Sequence, residues 1–317
     1  MFKCSIFQIP PIFDPMSPIR SRIAPTPSGF LHIGNALNFA LTWLYTRKAG
    51  GSLRLRIDDL DEPHMRPEYV DDIFYTLDWL GLDWDEGSQN AEQQYNIYSR
   101  LHRLDRYNLL LKKLLETGQV FACTCSRRAQ VDETTGHCVH YSQRVGVQSI
   151  ELFNPAQTGV QDIEPLHYLR LATEKGLIIT VPDMLNKPDE VNLFDTIKDP
   201  IMRRQDGLPA YHIASLADDI DFGINMIVRG EDLLSSTAIQ LYMAELLKED
   251  TFLECRFHHH PLMMDESGNK LSKSAGSTSI KYLREKGENS ENFYRMLSKR
   301  IGLKEEAFSP KKILERM

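Results

Sequence analysis

The sequence predicts an α/β fold built on a doubly wound parallel sheet, with a small inserted domain and a helical C-terminal segment. Two observations favour the parallel sheet. A short apolar segment at Ile23 leads through a tight turn into a helical apolar pattern over residues 36–44. A second apolar segment, residues 224–228, leads into a helical pattern over 234–247. Strands that alternate with helices along a chain are typical of parallel sheets covered by helices.

The turn after the first predicted strand has the composition of a phosphate-binding loop. Pro25 and Pro27 stiffen it, Ser28 and Gly29 keep it small, and the tetrapeptide at 32–35, His-Ile-Gly-Asn, begins the helix. A helix N-terminus presents unpaired backbone N–H groups and a partial positive charge, which suit a phosphate group. The alternative is an ordinary strand-to-helix turn with an incidental histidine, because short motifs also arise by chance.

A second strand is predicted at residues 52–57, followed at once by four acidic residues between Asp58 and Glu62. Carboxylates at the C-terminal end of a strand, next to a phosphate-binding helix start, lie in the ligand crevice of a doubly wound sheet. Amphipathic helical patterns then cover residues 68–80 and 94–117. The first half of the sheet therefore extends to about residue 117.

Between residues 118 and 195 the pattern changes. Prolines are frequent, residues 177–181 form a short β-rich piece, and three of the chain's five cysteines fall here. This texture predicts a small inserted domain. An odd number of cysteines argues against a disulfide framework.

The cysteines of the insertion have the spacing of a small zinc site. Cys123 and Cys125 form a C-x-C pair, and Cys138 and His140 form a C-x-H pair. These four side chains are the predicted zinc ligands, since thiolates and imidazole from two short loops suit tetrahedral zinc. Two alternatives for the fourth ligand are His137 and Tyr141, and a metal-free group of buried cysteines is a further alternative.

The main sheet is predicted to resume after the insertion. Residues 211–216 are apolar with polar interruptions and are predicted to be a strand that ends at Asp218 and Asp219. The three histidines at 258–260 are predicted to lie on a strand. A strand sends consecutive side chains to opposite faces, so at most two of these histidines could bind one metal. The last ~40 residues are predicted to be helical.

Composition and charge exclude some classes of protein. The 317 residues carry a formal charge of -7, so nothing global indicates a nucleic-acid partner. From Lys270 onward there are twelve Lys or Arg and six Asp or Glu, which predicts either solvated helices or a basic surface for RNA phosphate. No apolar run approaches the ~18 residues of a membrane span. Prolines and Asp14 interrupt the N-terminal apolar stretch, so a cytoplasmic protein is expected.

A downstream polar loop, Lys270-Leu271-Ser272-Lys273-Ser274, carries two lysines three positions apart. Together with residues 32–35 it resembles the HIGH and KMSKS signatures of class I aminoacyl-tRNA synthetases. Residues 54–61, 211–219 and 227–232 extend the resemblance to the catalytic half of glutamyl-tRNA synthetases. The chain is most similar to the short, freestanding glutamyl-Q tRNA(Asp) synthetases.

This resemblance implies a division of the chain. The catalytic domain would be Rossmann-like and in two halves, and the insertion would grip the acceptor end of tRNA. A start at Met16 is an alternative to the predicted N-terminal arm. The implied segments are the arm at 1–19, the first catalytic half at 20–117, the insertion at 118–195, the second half at 196–262, and the lysine loop with its helical segment at 263–317.

The resemblance also implies substrates and residue roles. The substrates would be ATP with Mg²⁺, L-glutamate and tRNA, and the protein would be a monomer. Catalysis would rest on His32, Lys270 and Lys273, which stabilise phosphate charge. The implied ATP-binding residues are Pro25, Ser28, Gly29, His32, Gly34, Asn35, Arg229, Gly230, Leu271, Ser272 and Lys273. The implied glutamate-binding residues are Arg22, Ala24, Thr26, Asp58, Tyr211, Ser215 and Arg229.

Three positions depart from the family pattern. Asp58 stands where the family usually has a glutamate that holds the α-ammonium group, and Ser215 replaces a longer residue. Glutaminyl enzymes favour an aspartate at the Asp58 position, whereas Arg229 favours glutamate, because a neutral amide does not need a buried cation. Arg22 and Arg229 could alternatively form salt bridges at the edge of the crevice. Thr134 replaces the tyrosine that often completes the family's zinc site.

The resemblance predicts that the chain activates glutamate and attaches it to the queuosine base of tRNA(Asp). A full glutamyl-tRNA synthetase continues into an anticodon-binding domain, which is not expected here. One alternative is a glutamyl- or glutaminyl-tRNA synthetase catalytic core that charges the tRNA 3' end. Two further alternatives are a non-catalytic RNA- or nucleotide-binding relative and a different nucleotidyl transferase with the same phosphate motifs.

Overall fold

The structure is a computed structural model that describes residues 18–60, 65–125, 131–133, 136–141, 167–263 and 279–317. The predicted lysine loop with Lys270, Leu271, Ser272 and Lys273, and the predicted N-terminal arm up to residue 17, lie outside these ranges. Among the helices within them, none is both long enough and apolar enough to cross a membrane.

Nine strands are present in the described residues. Most are only four or five residues long, so each forms few ladder hydrogen bonds and depends on neighbouring strands and helices for its stability. They are β1 (Arg20–Ile23), β2 (Ser52–Leu55), β3 (Val120–Cys123), β4 (Tyr168–Leu171), β5 (Ile178–Val181), β6 (Asp189–Asn192), β7 (Ile201–Arg203), β8 (Met226–Gly230) and β9 (Arg256–His260).

Eleven α-helical segments accompany the strands in the same ranges. They are α1 (Ile33–Lys48), α2 (Pro67–Leu80), α3 (Ala91–Gln93), α4 (Leu104–Glu116), α5 (Leu193–Thr196), α6 (Tyr211–Asp221), α7 (Leu234–Leu247), α8 (Asp250–Leu253), α9 (Ile280–Glu285), α10 (Glu291–Arg300) and α11 (Pro310–Arg316). The predicted helices at 68–80 and 234–247 and the helical C-terminal region are confirmed.

The predicted parallel sheet is confirmed. β1 pairs with β2 in parallel, and β8 pairs with β9 in parallel. β1 lies beside β8, because Asn225 N donates to Arg20 O at 3.0 Å and Ser21 Oγ donates to Met226 O at 2.8 Å. The strands therefore lie in the order β2-β1-β8-β9, and their C-terminal ends share one edge.

Helices cover both faces of this sheet. Met226 and Val228 pack in one apolar cluster with α1 and α2, whereas Ile227 between them packs in a second cluster with α4, α6 and α7. Neighbouring residues on a strand point to opposite faces, so this division shows a layer of helices on each side. α1 is apolar on nearly all sides and buries ten residues, as expected of a helix enclosed by a core.

The region after β2 and α2 is less regular than predicted. A single helix was expected over residues 94–117, but the structure has a π-helical turn at Gln94–Tyr98, a 3₁₀ turn at Arg100–Arg103 and only then α4. Gln94 and Arg100 turn inward and bind Asp59 through Gln94 Nε2 and Arg100 N, both at 2.8 Å. These buried polar contacts replace the regular helical ladder over that stretch.

The predicted strand at residues 211–216 is wrong, because this segment is the start of helix α6. Alanines within the segment favour a helix, and a short apolar run cannot be assigned from periodicity alone. The helix puts Tyr211, Ser215, Asp218 and Asp219 at helical spacing on one face. All but Tyr211 are buried. The correction thus brings two acidic residues to the crevice side of the helix.

The residues between the two halves of the parallel sheet form antiparallel structure. β3, β4 and β7 make a three-stranded antiparallel sheet, and β5 pairs with β6 as a hairpin. The short strand predicted at 177–181 is confirmed as β5. Asp183, just after β5, accepts from His259 N at 2.8 Å, which fastens this segment to β9.

Candidate active site

Helix α1 begins at the edge of the parallel sheet with a capping arrangement centred on His32. Gly34 N donates to His32 Nδ1 at 3.1 Å, and His32 N donates to Asn35 Oδ1 at 3.0 Å. A Cβ on Gly34 would lie only 3.0 Å from the His32 ring, so the glycine lets the ring fold back onto the helix. Because Nδ1 is an acceptor, a neutral His32 carries its hydrogen on Nε2. That N–H lies where the helix dipole is positive.

A cavity of 170 Å³ opens at this helix start. His32, Gly34 and Asn35 from α1 line it together with Gly230 at the end of β8, and all four were predicted to bind ATP. A Cβ on Gly230 would lie 2.5 Å from Asp232 Oδ1, so the glycine keeps the opposite wall open. Four of the eleven predicted ATP-binding residues thus line one cavity.

Two further cavities continue the crevice. A cavity of 420 Å³ shares Asn35 with the first, and a cavity of 640 Å³ shares Thr26, Asp58 and Tyr211 with the second. The three form a row along the C-terminal ends of the parallel strands, where ligands bind in open α/β sheets. The predicted site residues that line the middle cavity are Ala24, Pro25, Thr26, Gly29, Asn35, Asp58 and Tyr211.

Other predicted residues are not in the walls of these cavities. Arg22, Ser215 and Arg229 are all buried behind them. Ser28 shapes the loop through its backbone, because Ser28 N donates to Thr26 O at 2.9 Å. On the side of the site that was predicted to bind the amino-acid substrate, a layer of buried charged residues therefore lies behind the residues that line the cavities.

That inner layer contains four buried arginines and three buried aspartates, here called the arginine cluster. Asp219 is at its centre. Asp219 Oδ1 accepts from Arg22 Nε at 3.1 Å and from Arg56 Nη1 at 2.7 Å. Burial alone would raise the pKa of Asp219, but the surrounding arginines hold that pKa below its usual value. The members of the arginine cluster are Arg22, Arg56, Arg100, Arg229, Asp58, Asp218 and Asp219.

Asp58 is engaged by arginines on its inner side. Arg56 Nε and Nη2 donate to its two oxygens at 2.8 and 3.3 Å, and Arg100 Nη1 lies 3.2 Å from Asp58 Oδ1. Asp58 still lines two cavities. The predicted contact between Asp58 and a ligand ammonium group stays a prediction, and such a ligand would share the carboxylate with two cations.

Asp218 balances the outer part of the cluster. It accepts from Arg100 Nε at 2.9 Å, from Arg103 Nε at 2.7 Å and from the Tyr107 hydroxyl at 2.9 Å. Arg103 is in turn paired with Asp221. Ser215 was predicted to bind the substrate glutamate. Its Oγ lies 3.3 Å from Arg56 Nη2 and serves as a hydrogen-bond partner of that arginine.

Arg229 has a different environment from the other three arginines. Its Nη1 donates to Thr237 Oγ1 at 3.0 Å and to Gln240 Oε1 at 2.6 Å, both neutral acceptors. Its Nη2 lies 3.8 Å from Asp219 Oδ2, beyond hydrogen-bond distance. Within the described residues, Arg229 Nε and Nη2 have no hydrogen-bond acceptor. Arg229 is thus the least balanced charge of the cluster.

Two histidines next to Arg229 are held neutral. Burial, assisted by the Arg229 charge, lowers the pKa of His212 to about 4. The same two causes lower the pKa of His259 to about 4, and His259 Nε2 lies 2.8 Å from Thr237 Oγ1. Both rings can therefore donate and accept one hydrogen bond each without adding positive charge.

Several residues of this site were not singled out from the sequence. Arg56 was visible in the Arg-Leu-Arg-Ile-Asp-Asp stretch, and Asp218 and Asp219 would have been found had residues 211–219 been assigned to a helix. Nothing local indicates Arg100, because its partners Asp58 and Asp218 lie far away in the chain. Gln240 is only eleven positions from Arg229, but no motif in the sequence links the two. The missed residues are Arg56, Arg100, Asp218, Asp219, Thr237 and Gln240.

A second group of polar side chains lies in the inserted part of the chain. Cys123, Cys125, Cys138 and His140 each direct one ligand atom into a common space, with all four atoms within 4.8 Å of one another. Cys138 Sγ lies 3.4 Å from Cys123 Sγ and 3.9 Å from Cys125 Sγ. A tetrahedral zinc with ~2.3 Å bonds to sulfur separates two sulfur atoms by about 3.8 Å. This group, the cysteine cluster, is compatible with zinc.

His140 is the fourth member of the cysteine cluster. Its Nδ1 lies 3.4 Å from Cys125 Sγ and 3.7 Å from Cys123 Sγ. The two alternatives, His137 and Tyr141, stack on each other with ring centroids 3.7 Å apart. Burial raises the pKa of the Cys138 thiol to about 12.

Comparison with known proteins identifies a family. Residues 18–313 match the family model described as tRNA synthetases class I (E and Q), catalytic domain. A glutamate–tRNA ligase from Halorhodospira halophila is 34% identical over 273 residues, which are 86% of this chain and 54% of that protein. A glutamyl-Q tRNA(Asp) synthetase from Nitratidesulfovibrio vulgaris is 33% identical over 291 residues, which are 90% of this chain and 87% of that protein.

A solved structure supports the same fold. A glutamate–tRNA synthetase from Elizabethkingia anophelis superposes with a TM-score of 0.72 at 22% identity, covering 95% of this chain and 66% of that one. The chain spans 54% to 60% of the length of the three glutamate–tRNA ligases it matches first. The similarity thus covers nearly all of this chain but only part of each of those ligases.

Proposed function

Because this chain belongs to the family of class I tRNA synthetases for glutamate and glutamine, we propose that it activates L-glutamate with ATP and transfers it to tRNA. The observation that carries this proposal is the guanidinium edge of buried Arg229 that has no acceptor among the described residues. The other three arginines of the arginine cluster each form a close ion pair with an aspartate. Arg229, the least balanced of the four, has the Nε and Nη2 edge of its guanidinium without an acceptor in the described structure.

This unsatisfied edge favours an acidic amino acid over its amide. A buried charge without a partner is costly, so a ligand that brings the opposite charge gains the most. The side-chain carboxylate of glutamate matches the two-pronged edge of a guanidinium, whereas the amide of glutamine is neutral. Arg22 and Arg229 would bind that carboxylate once Arg229 is reached from the cavity, and Tyr211 would contribute a hydroxyl group at the cavity wall.

The first step would be formation of glutamyl-adenylate. A carboxylate oxygen of glutamate attacks the α-phosphorus of ATP, the bond from that phosphorus to the oxygen bridging to the β-phosphate breaks, and pyrophosphate leaves. His32 and the start of α1 would donate to phosphate oxygens, with Lys270 and Lys273 following the charge of the pyrophosphate. Mg²⁺ would arrive with ATP. Catalysis would then rest on positioning and charge stabilisation.

The second step would transfer glutamate to the queuosine base of tRNA(Asp). A hydroxyl group of the acceptor attacks the carbonyl carbon of the adenylate, and AMP leaves. Similarity along 87% of a glutamyl-Q tRNA(Asp) synthetase supports this acceptor. The 640 Å³ cavity, which shares three wall residues with the middle cavity, has the volume of a typical small-ligand site. The reaction is proposed for a cytoplasmic monomer.

Charging of a tRNA 3' end is the second candidate. Similarity to glutamate–tRNA ligases at 34% identity favours it. The same arginine cluster and the same adenylate would serve both acceptors, so the choice depends on which nucleoside reaches the crevice.

The cysteine cluster is proposed to hold a structural zinc ion. Three thiolates and one imidazole are the donor set of closed structural sites. The ion would fix the loop of Cys123 and Cys125 against the loop of Cys138 and His140. Because Asp199 Oδ2 accepts from Cys138 N at 3.1 Å, the second loop is also held from outside.

Pyrophosphate exchange tests the activation step. ATP–pyrophosphate exchange is measured with glutamate, glutamine and aspartate, each with and without tRNA. Exchange that depends on glutamate is the expected result. Exchange with none of the three under either condition would reject the ligase and leave a binding protein. Transfer of labelled glutamate to tRNA(Asp) with and without queuosine then separates the two acceptors, since 3'-end charging does not need the modified base.

A further inference from the structure

The positive charge of Arg229 is oriented by neutral groups of helix α7. Arg229 Nη1 has two hydrogens, and Thr237 Oγ1 and Gln240 Oε1 accept them at 3.0 and 2.6 Å. Thr237 and Gln240 are three positions apart and therefore lie on one face of α7. Both are fully buried, so water does not compete with them for Arg229. The Nη1 end of the guanidinium is thus held by two neutral acceptors.

The other edge of Arg229 has donors and no acceptor. Nε and Nη2 form the side-on fork that binds a carboxylate through two parallel hydrogen bonds. Neither finds an acceptor in the part of the chain that the structure describes. Asp219 Oδ2 lies 3.8 Å from Nη2, which is an ion-pair distance but too long for a hydrogen bond, and the other oxygen of Asp219 already accepts from Arg22 and Arg56.

Gln240 itself is incompletely satisfied. Its Oε1 binds Arg229, but its Nε2 has no acceptor among the described residues. A buried amide with an unused N–H₂ group costs stability. A glutamate at this position would remove that donor and form a buried ion pair with Arg229 over the same 2.6 Å contact. The folded state alone therefore gives no reason for an amide here.

We propose that Gln240 is a positioning residue for substrate specificity: as a neutral acceptor it orients Arg229 and leaves the charge of Arg229 to the side-chain carboxylate of the amino-acid substrate. A carboxylate at position 240 would satisfy Arg229 internally. The charge of Arg229 would then be balanced within the protein, and an acidic substrate would lose its advantage over its amide. This inference rests on the proposed activation of glutamate.

The decisive variant is Gln240→Glu. The Michaelis constant for glutamate in ATP–pyrophosphate exchange rises by about tenfold or more, whereas that for ATP changes by less than about threefold. The ratio of kcat/KM for glutamine to kcat/KM for glutamate rises by about tenfold or more. The melting temperature stays the same or increases, because the buried amide donor is gone and an ion pair replaces it.

Gln240→Met is the matched control at the same position. It has a similar volume but neither an acceptor nor a charge, so Arg229 keeps an unbalanced charge and loses one support. The Michaelis constant for glutamate rises, yet glutamate remains preferred over glutamine by the wild-type ratio within about threefold. If Gln240→Glu shifts the substrate preference from glutamate towards glutamine and Gln240→Met does not, the charge at position 240 is responsible and not its packing.

Thr237 provides a second test that does not depend on the folding of Gln240→Glu. Thr237→Val keeps the shape but removes the other acceptor of Nη1, so the Michaelis constant for glutamate rises while that for ATP does not. Thr237→Ser restores the hydroxyl group and the wild-type Michaelis constant. Equal losses for both Thr237 variants would show that the side chain only fills space, and the inference would be wrong.

The outcomes distinguish this inference from the function on which it rests. A wild-type protein that exchanges with no amino acid rejects the proposed function and this inference with it. A wild-type protein that exchanges with glutamate, together with a folded Gln240→Glu variant whose glutamine-to-glutamate ratio is within about twofold of wild type, rejects only the role of Gln240.

Discussion

The arginine cluster and the cysteine cluster are both buried groups of polar side chains, but they differ in what they lack. The arginine cluster is crossed by ion pairs such as Arg56–Asp219 at 2.7 Å and still has a guanidinium edge without an acceptor. The cysteine cluster gathers the ligand atoms of three thiols and one imidazole within 4.8 Å of one another. The first therefore favours a ligand with negative charge, and the second favours a metal cation.

The two clusters also differ in how they are assembled. All four members of the cysteine cluster fall between residues 123 and 140. The arginine cluster joins Arg22 to Asp219, which are 197 positions apart. A site made of neighbouring residues forms when one segment folds. A site made of distant residues requires the whole sheet and helix α6 to be in place.

The largest effect is expected for removal of the metal ligands. Cys123→Ser combined with Cys125→Ser should abolish zinc binding and unfold the surrounding loops, because a structural zinc contributes up to about 10 kcal/mol to folding. Bound zinc, measured on freshly purified protein, should fall from about one equivalent to none, with a lower melting temperature.

Cys255→Ser is the matched control for the metal. Cys255 is also buried, but its Sγ donates to Ile224 O at 3.1 Å and lies outside the cysteine cluster. This variant should retain the zinc. Wild-type protein without zinc, or zinc that survives the double substitution, would contradict the proposed site.

The next largest effect is expected for Arg229→Gln. Loss of one charged partner from a buried pair costs about 2–5 kcal/mol, so kcat/KM for glutamate should fall by about 30-fold or more. The effect for glutamine should be much smaller, since its amide is neutral. Pyrophosphate exchange with both amino acids measures the difference.

Arg47→Gln is the matched control for the loss of an arginine. Arg47 is in the last turn of α1, about 20 Å from the helix start by the rise of 1.5 Å per residue, and it pairs with Asp85 at 2.7 Å. Its loss should leave the preference for glutamate unchanged. Equal losses for glutamate and glutamine in Arg229→Gln would mean that Arg229 supports the fold and does not select the substrate.

The smallest effect is a dependence of stability on pH that arises beside the arginine cluster. The pKa of buried His259 is lowered to about 4, so below its ordinary value of 6.5 the unfolded chain takes up a proton that the folded protein does not. The contribution of His259 to stability is therefore full above about pH 6.5 and falls as the pH decreases, by about 2 kcal/mol at pH 5. His212, whose pKa is also lowered to about 4, adds a loss of its own. Denaturant unfolding at pH 7 and pH 5 measures this loss.

His259→Gln should reduce that loss by the contribution of one histidine. His102→Gln, at an exposed position, should leave the loss unchanged. If the two variants show the same difference between pH 7 and pH 5 as the wild-type protein, His259 is not responsible for the pH dependence.

The sequence predicted features that depend on neighbouring residues. The strand–turn–helix unit that presents His32 and Gly34 follows from prolines, glycines and apolar spacing within about thirty residues. The pairing of Cys123 and Cys125 with Cys138 and His140 followed from donor types and short spacing. Helix α7 was predicted with the bounds that the structure has.

The tertiary structure decided features that depend on distant residues. Residues 211–216 became a helix because their apolar side packs against α4 and α7, and this placed Asp219 among arginines from three different strands or strand ends. It also decided that Asp58 is shared with Arg56 and Arg100. The local sequence determines which chemical groups a segment presents, because it acts between residues that are close in the chain. Only the packed fold determines which groups from distant segments share one buried space. It therefore determines which charges are paired within the protein and which remain available to a ligand.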